Sequence, residues 1–310
     1  MIRSTKPVPD GILIIDKPAE WTSHDVVAKL RNLLKIRRIG HTGTLDPFAT
    51  GVLVVCLNRA TRLVQFLTGH DKEYLATMRL GETTDTGDLT GEPAGPPIDA
   101  GGITEAQIRE ALDQFRGVIS QVPPMYSAKK VAGKKLYELA REGKEVERAP
   151  VEVEIKSIEL LDLQHPQGLT MDVTIRVLCS AGTYIRTLAE DIGKKLGVGA
   201  HLIALRRIRA GRCGIEQATT LEQIIGLSAA GKVGEIVLPM TQVLDFAELP
   251  IDEEEMQAIC HGRSIRRSGP WADRERVSLC DSGRNLMAIA EYVEEEQALA
   301  PRIVLSSTGE

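Results

Sequence analysis

The sequence predicts an α+β protein, mixed α/β through most of its length, with a small and mostly β unit at its C-terminal end. Three observations carry this reading. Apolar runs with strand character alternate with amphipathic helical stretches from Gly11 to about residue 196. From about residue 246 the pattern becomes one helix followed by short strands between glycine-rich turns. At 310 residues the chain is also long enough for one large core and a small second unit. The expected division is residues 1–245 and 246–310, with a basic insertion near 119–148 in the first part.

In chain order, residues 11–15 read as a first strand that ends at Asp16-Lys17-Pro18. Thr22, Ser23 and Asp25 then cap a helix whose Val26, Val27, Leu30, Leu33 and Leu34 follow a helical period. Its basic end, Lys35-Ile36-Arg37-Arg38, suits a helix C-terminus and would also suit a phosphate backbone. A glycine-rich loop over 40–47 leads to a strand over 51–57 and a short helix near 59–68. Residues 72–80 alternate like a strand with one wet face. The Gly/Pro/Thr/Asp-rich stretch 81–102 predicts an irregular connection. Thr104 opens a helix with Ile108, Leu112 and Phe115 on one face.

Residues 119–148 are basic, contain Tyr126 and Tyr137, and look poorly suited to burial; they predict a protruding, mobile element with a short helix to about Gly143. Strands over 151–161 and 169–179 and a helix over 184–196 follow. Residues 213–245 read as a helical connector. Beyond it come a helix over 252–260 and strands near 263–266, 276–281, 285–291 and 302–305.

Composition narrows the function classes. Aromatic residues make up only 4%, so the core must rest on Leu, Ile, Val and Ala. The five cysteines are widely spaced and mostly lie in apolar runs, which predicts reduced, buried thiols in a cytoplasmic protein rather than a disulfide scaffold or zinc site. No stretch has the length and apolarity of a signal peptide or membrane span. The net charge of -5 argues against a nucleic-acid partner, but its distribution reverses that argument. Residues 1–80 and 120–212 each carry +5, against -6 for 81–119 and -9 for 213–310. Positive charge therefore collects where the unusual motifs lie, and a local basic surface is what a polyanion feels.

Four strings stand out: Lys17-Pro18 with Thr22-Ser23, then Gly40-His41-Thr42-Gly43-Thr44-Leu45-Asp46-Pro47, then Lys72-Glu73-Tyr74, and Gly182-Thr183-Tyr184-Ile185-Arg186-Thr187-Leu188. Each has a plain structural reading as a strand-end turn, a capped loop, a solvated edge or a helix cap. Together they supply one carboxylate, one tyrosine and one arginine, the materials for a nucleophile, a ring-contacting hydroxyl and a charge clamp. Spacing alone does not bring them together.

In these strings, and in Gln121–Lys129 and Leu205-Arg206-Arg207, the chain resembles the bacterial tRNA pseudouridine-55 synthases of the TruB family. The likeness runs from Gly11 to about Gly211 and, more weakly, through the C-terminal unit. It implies a catalytic domain built on a largely antiparallel sheet, followed by a PUA-like RNA-binding β domain. It also implies isomerisation of uridine by base flipping, glycosidic cleavage, base rotation and C–C bond formation, without cofactor or metal. By the same resemblance Asp46, Tyr74 and Arg186 are catalytic. His41 enters the space left by the target base, and Lys17, Tyr126, Lys129, Lys130, Lys134, Tyr184 and Arg206 bind RNA. In the acidic C-terminal unit, Arg263 and Arg266 are expected to make local contacts to RNA. The partner is the T arm and T loop of tRNA, and the enzyme a monomer. One position departs from the family pattern: Glu20 stands where Lys-Pro-x-Gly has glycine. Two alternatives stay open, a pseudouridine synthase acting on another RNA and a non-catalytic RNA-binding or folding protein.

Overall fold

The structure, a computed structural model, describes residues 8–127, 129–131, 133–136, 139, 142–144, 146–165 and 168–305. Its main element is a ten-stranded sheet. The strands are β1 (Gly11–Lys17), β2 (Ile39–His41), β3 (Thr50–Leu57), β4 (Lys72–Leu80) and β5 (Gly117–Gln121). A two-residue hairpin of β6 (Lys130–Val131) and β7 (Lys134–Lys135) stands apart. The sheet continues with β8 (Val151–Gln164), β9 (Met171–Cys179), β10 (Ala200–Ala210), β11 (Cys213–Gly214) and β12 (Thr219–Thr220). Its order is β12-β1-β3-β10-β4-β9-β8-β5, with β2 on β3 and β11 on β10. Only the β1–β12 and β3–β10 pairs are parallel, as the expectation of a largely antiparallel sheet requires.

Local chemistry explains these elements. β1 and β3 are apolar and buried along almost their whole length, the pattern of strands covered on both faces. β4 alternates buried and half-buried residues. The helix Ser23–Leu34 starts in a capping box: Thr22 accepts from the Asp25 amide while the Asp25 carboxylate accepts from the Thr22 amide. Thr104 and Gln107 form another at the helix Glu105–Asp113. The helix Ile185–Lys195 lies against β10.

β10 has no counterpart among the expected elements. Its three arginines make His201–Ala210 look too polar for the middle of a sheet, yet it runs between β3 and β4. Arg206 pairs with Asp16 and Arg209 with Glu73, so partners distant in sequence carry the charges. At the junction of the halves, Gly51 sits opposite Arg207 with φ 98°, and a Cβ there would lie 2.2 Å from the Arg207 carbonyl oxygen. Only glycine lets β10 approach β3 at this point.

The region near 119–148 is not wholly a projection. Gln121, Ser127, Leu136 and Leu139 are buried, and the Gln121 side-chain amide both accepts from the Tyr184 amide and donates to its carbonyl. Tyr137 and most of the short helix expected up to Gly143 lie outside the described residues. The connector 213–245 holds the helix Leu221–Ala230 and several 3-10 turns, and also β11 and β12, which join the sheet.

A five-stranded sheet forms the C-terminal part, in the order β13-β15-β16-β17-β14. Its strands are β13 (Ala247–Pro250), β14 (Ile265–Arg266), β15 (Arg276–Cys280), β16 (Leu286–Val293) and β17 (Ala298–Val304), and the helix Glu253–Cys260 packs on it. Leu286, Ile289, Ile303 and Leu305 share one apolar cluster with Ile12, Val52 and Leu63 of the large sheet's side. Phe66 and Phe246 meet edge to face at 5.5 Å, and Arg276 lies 5.0 Å over the Phe66 ring. Arg59 Nη1 donates to the Leu305 carbonyl at 2.6 Å.

Glu20 occupies a left-handed backbone position, φ 65°, and is exposed. The turn thus keeps a conformation that glycine adopts at little cost, with a glutamate in it. Glu20→Gly should therefore raise the unfolding free energy by about 0.5–1 kcal/mol. Urea denaturation of parent and variant would check this, with an unchanged or lower midpoint counting against the strain.

Candidate active site

The Asp46 loop leaves β2 and enters β3, and buried side chains from three other segments hold its backbone. Ser23, fully buried at the start of its helix, accepts from the Leu45 amide at 2.9 Å and donates to the Leu45 carbonyl at 3.3 Å. Lys17 donates to the carbonyls of Pro18, Trp21 and Pro47 at 2.8, 2.6 and 3.1 Å. Arg207, 2% exposed, donates from Nε to Val52 O at 2.7 Å and from Nη2 to Gly43 O at 3.0 Å. Lys17 corrects one expectation: a residue expected to touch RNA is 0% exposed, with its ammonium turned onto the protein's own carbonyls. Burial lowers that ammonium to about 8, against a raising effect of Asp46.

Asp46 meets Arg186. Arg186 Nε lies 3.0 Å from Oδ2 and Nη2 3.3 Å from Oδ1, a two-point contact that fixes the carboxylate plane. The same guanidinium donates to Thr86 O at 3.0 Å and Tyr126 O at 2.5 Å, and its Nη1 lies 3.5 Å from Asp88 Oδ2. Asp88 is buried and accepts from the Thr90 amide at 3.0 Å and from the hydroxyls of Thr86 at 3.0 Å and Thr90 at 2.5 Å. One cation therefore sits between two carboxylates. Desolvation pushes the Asp46 carboxyl above the ordinary range and Asp88 adds to this, while Arg186 pulls the other way. Sequence reasoning missed Asp88, because Thr86-Gly87-Asp88-Leu89-Thr90 has the composition of any hydroxyl-rich turn.

A cavity of about 240 Å³ opens at this ion pair. Its wall includes Asp46, Arg186, Tyr74, Tyr184, Lys72 and Arg207. Of the residues singled out from sequence, Asp46, Tyr74, Tyr184 and Arg186 thus converge. Tyr74 stands on β4 directly opposite Arg207 on β10. Burial raises the phenol's pKa and Arg207 opposes the rise, so the group is neutral at ordinary pH. Lys72, two residues before Tyr74 and 7% exposed, donates to Thr68 O and His70 O, both at 2.6 Å. Burial lowers it to about 8. Lys72 and Arg207 were not among the candidate site residues, although both stand in strings that were.

The remaining candidates lie off this wall. His41, at the end of β2, is half-buried and meets the exposed His24 ring edge to face at 5.5 Å. Burial lowers its imidazole to about 4, which leaves it neutral, and its Nδ1 has no hydrogen-bond partner among the described residues. Tyr126 contributes its carbonyl to Arg186; Lys129 is half-buried and Lys134 exposed, while Lys130 lies in β6, its side chain outside the described set. Arg206 points away from the cavity into a paired contact with Asp16 at 3.0 and 2.7 Å. Arg263 and Arg266 are exposed in the C-terminal part, with no ion pair among the described residues. Among those residues no cluster of three or more His, Cys, Asp or Glu is placed to hold a metal ion, and no helix is long and apolar enough to cross a membrane.

Two family models match the chain: the N-terminal domain of the TruB family pseudouridylate synthases over residues 31–185, and the tRNA pseudouridylate synthase B C-terminal domain over 186–245. A tRNA pseudouridine synthase B of Solibacter usitatus is 43% identical, the match covering 92% of this chain and 96% of the relative. Another, of Saccharophagus degradans, is 40% identical over 98% of each. Among solved structures, a chain in the crystal structure of a Cbf5–Nop10–Gar1 complex superposes with a TM-score of 0.73 at 29% identity, covering 97% of this chain and 86% of that one.

The grip on the loop gives a direct test. Ser23→Ala would leave the buried Leu45 amide and carbonyl without their partner, and stability should fall by about 1–3 kcal/mol. Equilibrium denaturation would measure it; a change within about 0.3 kcal/mol would mean that the loop holds itself.

Proposed function

The chain belongs to the TruB family of pseudouridine synthases, and from that premise we infer that it isomerises uridine to pseudouridine in tRNA, with uridine 55 of the T loop as its target. The observation that carries the chemistry is the Asp46–Arg186 pair in the cavity wall beside Tyr74. The reaction breaks C1′–N1, turns the freed ring and joins C1′ to C5; the C5 proton leaves and N1 gains one.

Each residue has a task in this reading. The target base must leave its stack, at a cost of a few kcal/mol. His41, planar, neutral and next to the flexible Gly40 and Gly43, fills the space it vacates. The extruded ring packs on Tyr74. Arg186 holds the Asp46 carboxylate in one plane, ready to attack C6 or C1′ or to accept the 2′ proton. Burial makes that carboxylate more basic than an exposed one, which serves each of the three routes. No cofactor or metal enters the scheme.

Recognition follows from charge. We assign residues 1–245 to catalysis and 246–310 to RNA binding. Lys129, Lys130, Lys134 and Tyr126 close over the T arm, Tyr184 borders the entering nucleotide, and Arg206, Arg263 and Arg266 contact backbone phosphates, with Arg206 exchanging its Asp16 partner for one of them. The enzyme acts as a monomer in the cytoplasm.

Incubating the protein with unmodified transcribed tRNA and mapping pseudouridine chemically tests the reading. A single mark in the T loop is expected; a mark elsewhere would reassign the substrate, and none would leave an RNA-binding protein. Asp46→Asn should remove turnover while tRNA binding persists. Activity within about tenfold of the parent, worth only about 1.4 kcal/mol, would take Asp46 out of the chemistry.

Deleting 246–310 should weaken binding to full tRNA more than to a T-arm hairpin. Because the truncation uncovers Ile12, Val52 and Leu63, it should also lower the melting temperature. Equal affinity losses on both RNAs would show that this part supports the catalytic fold rather than the RNA.

A further inference from the structure

Arg186 is balanced by two carboxylates, but the other two cations of the cavity wall are not. Lys72 donates to Thr68 O and His70 O, and Arg207 to Gly43 O and Val52 O, all neutral acceptors. Neither makes an ion pair with a carboxylate among the described residues. Both are more than nine-tenths buried. They stand together: a Cβ placed on Gly43 would lie 3.5 Å from Arg207 Nη1 and 4.0 Å from Lys72 Cε. Lys72 and Tyr74 share one face of β4, and Arg207 is the cross-strand partner of Tyr74.

Burying two positive charges without counterions is costly unless something negative arrives. The backbone phosphates of an RNA stay hydrated and run past the mouth of a cavity. What would enter is the extruded base, with its ring against Tyr74 in the wall that Lys72 and Arg207 also line. When C1′–N1 breaks heterolytically, the bonding pair goes onto the ring, spread over N1, O2 and O4. If Asp46 instead attacks C6, the pair goes onto the C5–C4–O4 enolate. On every route the ring is the anion. The ring returns to neutrality when that pair forms the C5–C1′ bond, with Asp46 released where it had added to C6. Loss of the C5 proton and protonation of N1 then complete the isomer with no further change of charge and no oxidant or reductant required.

We propose that Lys72 and Arg207 form an anion subsite that stabilises the negative charge on the uracil ring during its transfer, a catalytic role additional to that of Arg186. The proposal rests on the reading of the cavity as a uridine isomerase site. A positive field fixed in a dry wall favours charge that develops there, and favours it more in the transition state than in the neutral substrate.

The test uses the full chain and a tRNA transcript carrying either uridine or 5-fluorouridine at the target, with single-turnover cleavage of C1′–N1 as the readout. Fluorine lets the ring bear negative charge more easily, so it should partly replace the lost cation. Lys72→Met should slow uridine at least about tenfold with tRNA affinity within about threefold, and the slowing should be several times smaller on 5-fluorouridine. Lys72→Arg, which keeps the charge but disturbs the contacts to Thr68 and His70, should retain most of the rate.

Equal slowing on the two substrates, or Lys72→Arg as slow as Lys72→Met, would overturn the proposal by making the role structural. Weaker tRNA binding with an unchanged cleavage rate would overturn it in favour of a phosphate contact. If Lys72→Met melts early, Arg207→Lys against Arg207→Met repeats the same comparison. A parent enzyme that forms no pseudouridine would instead overturn the assignment of function.

Discussion

A carboxylate on a loop is useful for chemistry only if the loop cannot move away, and here buried cations supply that constraint. Lys17 and Arg207 bind carbonyls on either side of Asp46 in the loop's sequence, Lys17 at Pro47 O and Arg207 at Gly43 O. Ser23 closes the middle by occupying both backbone groups of Leu45. Charge-assisted bonds to carbonyls are stronger than neutral ones and lose little to solvent when the donor is buried. The position of Arg207 depends in turn on the bare backbone of Gly51, which admits β10. Cavity, loop and sheet order therefore stand on one set of contacts.

Electrostatically the cavity lining holds two unlike groups. In one, Arg186 lies between Asp46 and Asp88, which orients the reactive carboxylate while keeping the local sum negative. Elsewhere in the lining, Lys72 and Arg207 add positive charge beside the Tyr74 ring. A neutral ring in this cavity can bond to the Asp46 group as electrophile and lean on the Lys72 and Arg207 group as anion. The division suits a reaction in which the same base is first leaving group and then nucleophile.

Much of this was legible in the sequence wherever the signal was local. The Thr22/Asp25 cap, the buried runs of β1 and β3 and the alternation of β4 appear where their periodicities put them. The motif around Arg186 sits at a helix start facing Asp46. What was not legible depends on partners far away. β10 looks polar until Asp16 and Glu73 are placed beside its arginines. Lys17 looks like a surface cation until the carbonyls of Trp21 and Pro47 surround it. Asp88 hides in a turn because its importance lies in a contact to a residue about a hundred positions on. Glu20 reads as a departure in residue type, while the backbone underneath keeps the left-handed turn.

The apolar cluster shared by the two sheets also bears on how the chain is made. Ile12 near the start and Leu305 near the end belong to one packed group, and Arg59 binds the Leu305 carbonyl across 246 residues of sequence. β1 meanwhile pairs with Thr219–Thr220, and Ile12 exchanges backbone hydrogen bonds with Leu238. Contacts of such long sequence separation form slowly, because loop closure must precede any reward. On the ribosome, the first strand must wait with one side uncovered until residues 219–238 have emerged. During that interval the nascent protein is an open sheet edge flanked by apolar side chains, the kind of surface that chaperones bind and that aggregation exploits.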